Sequence, residues 1–186
     1  MLLFAATSLI MVSCGLLGTR EPEEPGTTTV PVFIQPDRPQ DVVRNFQNAV
    51  ASMNTDHYMR SLATDSFEFF PAGAALAENP ELWQGWGLDE ERFYFNNMRA
   101  ESEGRTGHRL RLADEAYVPV PPNRQQFEAS YEITVRHNRS GVPETATGLM
   151  RLDMEQTEDG LWFIRSWTDA PGSGDFTWSD FKARFF

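Results

Sequence analysis

Cysteine is almost missing from this sequence. Cys14 is the one thiol in 186 residues, which excludes an intrachain disulfide and a Cys-rich zinc site. Positive charge is also short: 16 Lys and Arg face 27 Asp and Glu, a formal net charge of −11. Nucleic-acid binding needs a basic footprint, so that class is excluded, and so is electrostatic adhesion to anionic lipid. No apolar run is long enough to span a bilayer as a helix. Residues 2–12 are apolar apart from Thr7 and Ser8, whereas a spanning helix needs about twenty residues. His57, His108 and His137 are scattered and share no metal-ligand spacing such as His-Glu-x-x-His, so no metal site is expected. The run "PGSGD" lacks the lysine and the strand–helix context of a phosphate cradle, and no nucleophile-elbow motif occurs. No catalytic residue and no cofactor is predicted.

What is present is aromatic. Five Trp, fourteen Phe and four Tyr, within 40% hydrophobic residues, suffice for one packed domain plus a tail. The apolar run of residues 2–12 has the length of a signal-peptide core. It ends in "MVSC", followed by Gly15. This tetrapeptide resembles a bacterial lipobox, although Met11 stands where Leu is usual and no Lys or Arg precedes Cys14. The resemblance implies that Cys14 is diacylated through its sulfur, that lipoprotein signal peptidase cuts before it, and that the new amino group is acylated too. "GTREPEEPGTTTVPVFIQPDRP", residues 18–39, is rich in Pro, Thr and charge and reads as an extended tether. The expected organisation is a signal peptide at 1–13, a lipidated cysteine and flexible tether at 14–38, and a globular domain at 39–186. The membrane is the expected partner, through acylated Cys14. In the lipoprotein resemblance the location is the bacterial cell envelope. Gly15, in place of Asp, points to the periplasmic side of the outer membrane in a diderm cell.

Within 39–186 the apolar periodicity predicts secondary structure. Val42, Val43, Phe46, Ala49, Val50 and Met53 recur at helical spacing after Pro39. A short helix follows over 56–62, with Thr55 or Asp56 as N-cap. "DSFEFFP", residues 65–71, reads as a strand with Phe67 and Phe69 on one face, and residues 72–87 carry no clear period. Residues 88–100 read as a helix with Asp89, Glu90 and Glu91 complementing its dipole. Strands are expected at 108–118, 127–135, 145–154 and 161–169, and a closing helix at 177–185 with Thr177 as N-cap. The run "FEASYEITV" alternates most cleanly, placing Phe127, Ala129, Tyr131, Ile133 and Val135 on one face. Arg109 and Arg111 are expected on a solvent face, paired with Glu128 and Glu132.

Helices followed by a bent antiparallel sheet make an α+β two-layer domain. The opening "PQDVVRNFQNAVASMNTDHYMRSLATDSFEFFP" and the closing "GLWFIRSWTDAPGSGDFTWSDFKARFF" resemble the nuclear-transport-factor-2-like superfamily, closest to its envelope lipoproteins. The resemblance implies a curved antiparallel sheet packed against N-terminal helices as a cone. It also brings in relatives, isomerases and dehydratases, whose active sites lie inside that cone and use a buried acid, Tyr or His. Candidate pocket residues here are Tyr58, Trp83, Trp86, Tyr131 and Trp167, which would accept a small apolar ligand. For each a structural role competes. Tyr131 would be a core tyrosine bonding a backbone group, Tyr58 would pack between helices, and Trp83 and Trp86 would pin a loop. Asp169 reads as a capping or turn residue rather than a proton-transfer group. Three functional expectations follow: a membrane-anchored domain that binds a ligand or partner without catalysis, an isomerase- or dehydratase-like enzyme, and a homodimeric structural component joined through the open sheet face.

Overall fold

The computed structural model describes residues 32–186. Cys14, the segment 1–13 and the tether as far as residue 31 lie outside the described residues. Ordered packing begins before residue 39. Asn45 clamps Ile34 with two hydrogen bonds, donating to its carbonyl at 2.6 Å and accepting its N–H at 2.8 Å. The Phe33 ring packs against both the His57 ring and the Arg60 guanidinium.

Helix α1 (Pro39–Ser52) opens with proline in its first turn and buries Val42, Val43, Phe46, Ala49 and Val50 along one face. It stops at Met53, which takes the left-handed conformation at φ 49. That turn leaves Asn54 extended, so Asn54 caps α2 (Thr55–Arg60) by accepting the His57 N–H at 3.0 Å. The expected caps, Thr55 and Asp56, fall inside the helix. Strand β1 (Glu68–Phe70) is shorter than predicted, with Phe67 and Phe69 both buried. The unassigned stretch contains α3 (Gly73–Glu78), a short helix too small to show a period. Helix α4 (Leu88–Glu101) is capped by Glu90, whose carboxylate accepts the Gly87 N–H at 2.9 Å.

Four long strands follow: β2 (Arg109–Val120), β3 (Arg124–Thr134), β4 (Thr145–Gln156) and β5 (Trp162–Pro171). Helix α5 (Trp178–Phe185) closes the chain, its entry fixed by Asp180 accepting from the Thr177 N–H at 2.7 Å. The sheet order is β1-β5-β4-β3-β2. The long strands pair antiparallel, as expected of the curved sheet, and the short β1 joins β5 parallel. Three separate segments seal the β5 edge. Trp162 N–H donates to the Pro36 carbonyl and Ile164 N–H to that of Ser61, then β1 covers Ser166 to Thr168. At the opposite edge β2 carries a bulge between Ala113 and Ala116, with Asp114 at φ 56.

The helices cover one face of the sheet, which supplies Phe127, Ala129, Tyr131 and Ile133 from β3 and Met150, Leu152 and Met154 from β4 to a single core. The other face carries cross-strand ion pairs. Glu128 sits directly opposite Arg151 and accepts from it at 2.9 Å. Glu132 takes both Arg109 and Arg111, at 3.3 and 3.5 Å, so Glu128 is not their partner as expected. Among the described residues no helix is long and apolar enough to cross a membrane.

Candidate functional site

The interior of the cone is built around an ion pair that the helical pattern hides. Glu91 lies in the first turn of α4 and Lys182 on α5, and both side chains are 0% exposed and paired with each other. Lys182 is the only lysine of the chain. Helix α4 turns Glu91 inward with Tyr94, Phe95 and Met98, and α5 does the same for Lys182 with Trp178, Phe181 and Phe185. Two further donors complete the carboxylate. Trp86 Nε1–H reaches Oε1 at 2.8 Å and the Tyr58 hydroxyl reaches Oε2 at 2.6 Å. The ammonium lies over the Phe69 ring at 3.6 Å from its centroid and over Trp167 at 4.1 Å. Burial pulls the lysine down to about 8, against the opposing charge of Glu91. It remains protonated at neutral pH. Burial, with Glu91 adding to it, holds the Tyr58 hydroxyl well above its ordinary value.

A second buried network adjoins the first. The Tyr131 hydroxyl donates to Asp169 Oδ1 at 2.7 Å and accepts the Trp178 N–H at 2.7 Å. Asp169 Oδ2 accepts both the N–H and the hydroxyl of Ser179, so Asp169 caps the start of α5. Ser179 Oγ in turn accepts the Ala72 N–H at 2.9 Å. Burial raises the Asp169 carboxyl, against the hydrogen bonds from Ser179 and Tyr131, and also raises Tyr131. Gly148, opposite Tyr131 on β4, makes room for this arrangement. A Cβ there would lie 2.5 Å from the Tyr131 oxygen and 2.6 Å from the Ala170 carbonyl.

The five candidate pocket residues therefore meet in one buried cluster. Tyr58 and Trp86 bond Glu91, and Tyr131 bonds Asp169. Trp83 donates to the Ala75 carbonyl at 3.1 Å and packs on Trp86 at 4.8 Å between ring centroids. Trp167 packs edge-on against Trp178 at 4.6 Å. Its Nε1–H is a buried donor without a partner, the one unpaired polar atom of the cone's described lining. None of the five lines the cavities of about 920, 380, 340 and 250 Å³ found elsewhere on the domain. Sequence reasoning missed Glu91 and Lys182. The signal was a lone lysine set among Trp178, Phe181 and Phe185 at helical spacing.

No protein-family model matches the chain and no curated protein matches its sequence. Solved structures do match in fold. A proposed aromatic ring hydroxylase from Novosphingobium aromaticivorans superposes with a TM-score of 0.57 at 17% identity, over 76% of this chain and 92% of that one. A ketosteroid isomerase-like protein from Erwinia carotovora atroseptica gives 0.52 at 12% identity, over 73% and 94%. A nuclear transport factor 2 (NTF2-like) superfamily protein from Salmonella enterica serovar Typhimurium gives 0.50 at 12% identity, over 73% and 89%. The domain has the nuclear-transport-factor-2-like α+β fold. At such identities the likeness concerns the fold, and function has to be argued from the site.

Proposed function

We propose that this chain is a bacterial envelope lipoprotein, anchored through acylated Cys14, whose domain binds a ligand or partner and performs no catalysis. The observation that carries the non-catalytic part is the closed polar network of the cone. Glu91 is fully buried and taken up by Lys182, Trp86 and Tyr58, and both Asp169 oxygens are taken up by Tyr131 and Ser179. A general acid or base must reach the proton it moves, and here neither carboxylate faces open space. The anchoring part is supported by the residue order: an apolar run, Cys14, then a Pro- and Thr-rich tether. Each buried acyl methylene contributes ~0.8 kcal/mol, so two chains hold a protein firmly on a bilayer.

The enzyme reading has one observation in its favour, the Tyr131–Asp169 pair inside a cone that isomerase-like proteins share. The hydrogen bonds that fill both partners weigh against it. For the dimer reading, the open sheet face exposes Leu149, Val118 and Val120 amid the paired charges of Arg151 with Glu128 and of Arg109 and Arg111 with Glu132, a poor apolar interface.

Expression in a bacterial host followed by membrane extraction and mass spectrometry tests the anchor. The expected product starts at acylated Cys14, and Cys14→Ser leaves the protein unlipidated and released. Recovery of soluble protein with residues 1–13 attached contradicts the reading. For the closed cone, Trp86→Ala and Tyr131→Phe are screened against a small-molecule library by thermal shift. The native chain is expected to gain stability from no ligand whose effect both variants abolish; such a ligand would reinstate an open pocket.

A further inference from the structure

With the cone closed, the concave surface of the domain lies elsewhere. A cavity of about 920 Å³ forms a groove between the end of α1, the last turns of α4 and the loop into β2. A second cavity of about 380 Å³ adjoins it over the α1–α2 turn and shares Asn54, Asn96 and Arg99. The chemistry of this double groove is unlike the rest of the surface. In a chain with 27 acidic residues against 16 basic ones, an arginine has carboxylates to spare around it. Among the described residues only Arg44, Arg92 and Arg99 lack an ion pair, a side-chain hydrogen bond and a ring contact. Arg92 and Arg99 both line the smaller cavity, two helical turns apart on α4.

The amides between them are oriented as donors. Asn54 Oδ1 is held by the His57 backbone N–H at 3.0 Å, a bond that requires an oxygen, so Asn54 Nδ2 is left available. Asn96 Oδ1 accepts from the Thr55 hydroxyl at 2.8 Å, which leaves Asn96 Nδ2 available too. Two guanidinium groups and two amide NH2 groups thus border one small cavity with Asp56 as its single carboxylate. The larger groove opposes Arg99 and Arg105 to one carboxylate, Glu103. It is the less polar half, with Ala51, Met53, Ala100 and Gly107 in its lining. The negative ends of α1 and α4 point toward it; the carbonyls of Ala49, Val50, Arg99 and Ala100 are bonded by the N–H groups of Asn54, Met53, Ser102 and Glu103, and that of Glu101 by the Asn138 N–H.

We propose that this groove is a binding site for an organic oxyanion. The carboxylate or phosphate head is held by Arg92, Arg99 and the Asn54 and Asn96 amides, and a less polar body lies along the larger cavity. Guanidinium groups suit such heads because their planar N–H forks match the oxygens. The site rests on the preceding reading only in placing ligand binding outside the cone. It does not depend on acylation of Cys14.

The test uses the full chain carrying Cys14→Ser, so that anchoring does not enter. Inorganic phosphate and hexyl phosphate are titrated by calorimetry at low salt. Saturable binding is expected for both, weaker as salt rises, with hexyl phosphate at least threefold tighter. Arg99→Gln and Arg92→Gln should each weaken binding at least tenfold. Arg44→Gln, which removes the third unpartnered arginine away from both cavities, should change it less than twofold. Far-UV spectra and melting temperatures check that the exposed substitutions leave the fold intact. Absence of saturable binding overturns the proposal, as does equal weakening by all three variants. Equal affinity for the two probes overturns the placement of the body. Failure of the closed cone would show separately, as binding abolished by Tyr131→Phe and Trp86→Ala but untouched by Arg99→Gln.

Discussion

The two faces of the sheet use the same chemistry with opposite energetics. On the open face, Arg151 and Glu128 pair at 2.9 Å while 52% and 47% of their side chains stay exposed. Under the helices, Lys182 and Glu91 pair with none of either side chain exposed. An exposed pair is screened by water and salt and contributes ~0–1 kcal/mol. A buried pair gives up far more hydration, so it is weak evidence of net stability, yet removing one partner strands the other charge. The lesson is that the outer pairs keep the sheet face wet and replaceable. The inner pair, wrapped by Phe69, Trp86, Trp167 and Tyr58, fills the space between the helices and the sheet.

Breaking the inner pair should have the largest effect. Glu91→Ala or Lys182→Ala alone is expected to destabilise the domain by about 3–5 kcal/mol in urea unfolding. The double variant Glu91→Leu with Lys182→Met should recover much of that loss. A double variant as unstable as the sum of the two single ones would mean the charges are not compensating each other. Next comes Gly148→Ala, whose methyl would press on the Tyr131 oxygen and the Ala170 carbonyl. Overpacking of this kind costs about 1–3 kcal/mol. Tyr131→Phe should cost somewhat less, ~1–2 kcal/mol, because it leaves the Trp178 N–H and one Asp169 oxygen without their partner. Arg151→Ala on the open face should change the unfolding midpoint least, by less than ~0.5 kcal/mol. A large effect there would erase the contrast between the faces.

The sequence made the inner face legible far better than its contents. The alternation of Phe127, Ala129, Tyr131 and Ile133 identified β3 because burial on one side of a strand enforces a period of two. Helix α1 was equally readable from Val42, Phe46, Ala49 and Val50. Helix α3 was not, since six residues are too few to show a period. The parallel pairing of β1 depends on contacts nearly a hundred residues apart in sequence, between Glu68 and Ser166. The polar heart of the cone was hidden for a different reason. Acidic residues in a first helical turn are explained sufficiently by the helix dipole, and that account of Asp89, Glu90 and Glu91 concealed the one that turns inward. Of the two roles open to Tyr131, pocket residue or core tyrosine, the hydroxyl bonded to the Trp178 N–H matches the second, and Asp169 bonds the Ser179 N–H as a capping acid does.

The same burial makes the inner pair sensitive to pH. Lys182 is held near 8 in the fold against 10.5 for the ordinary group. Between about 8 and 10 the unfolded chain therefore binds the extra proton, and stability rises with pH across that window. Above 10, the buried Tyr58, Tyr94 and Tyr131, all raised from 10.0, reverse the slope. A melting temperature that falls steadily from pH 8 upward would contradict this balance.

Because the chain has a single lysine, one spectrum isolates the group that closes the cone. The protein labelled with 15N at the lysine side-chain nitrogen should show one ammonium resonance, slow to exchange with water, titrating with a midpoint near 8. A resonance that exchanges freely with solvent and titrates near 10.5 would place Lys182 outside the network, and the cone would then be open.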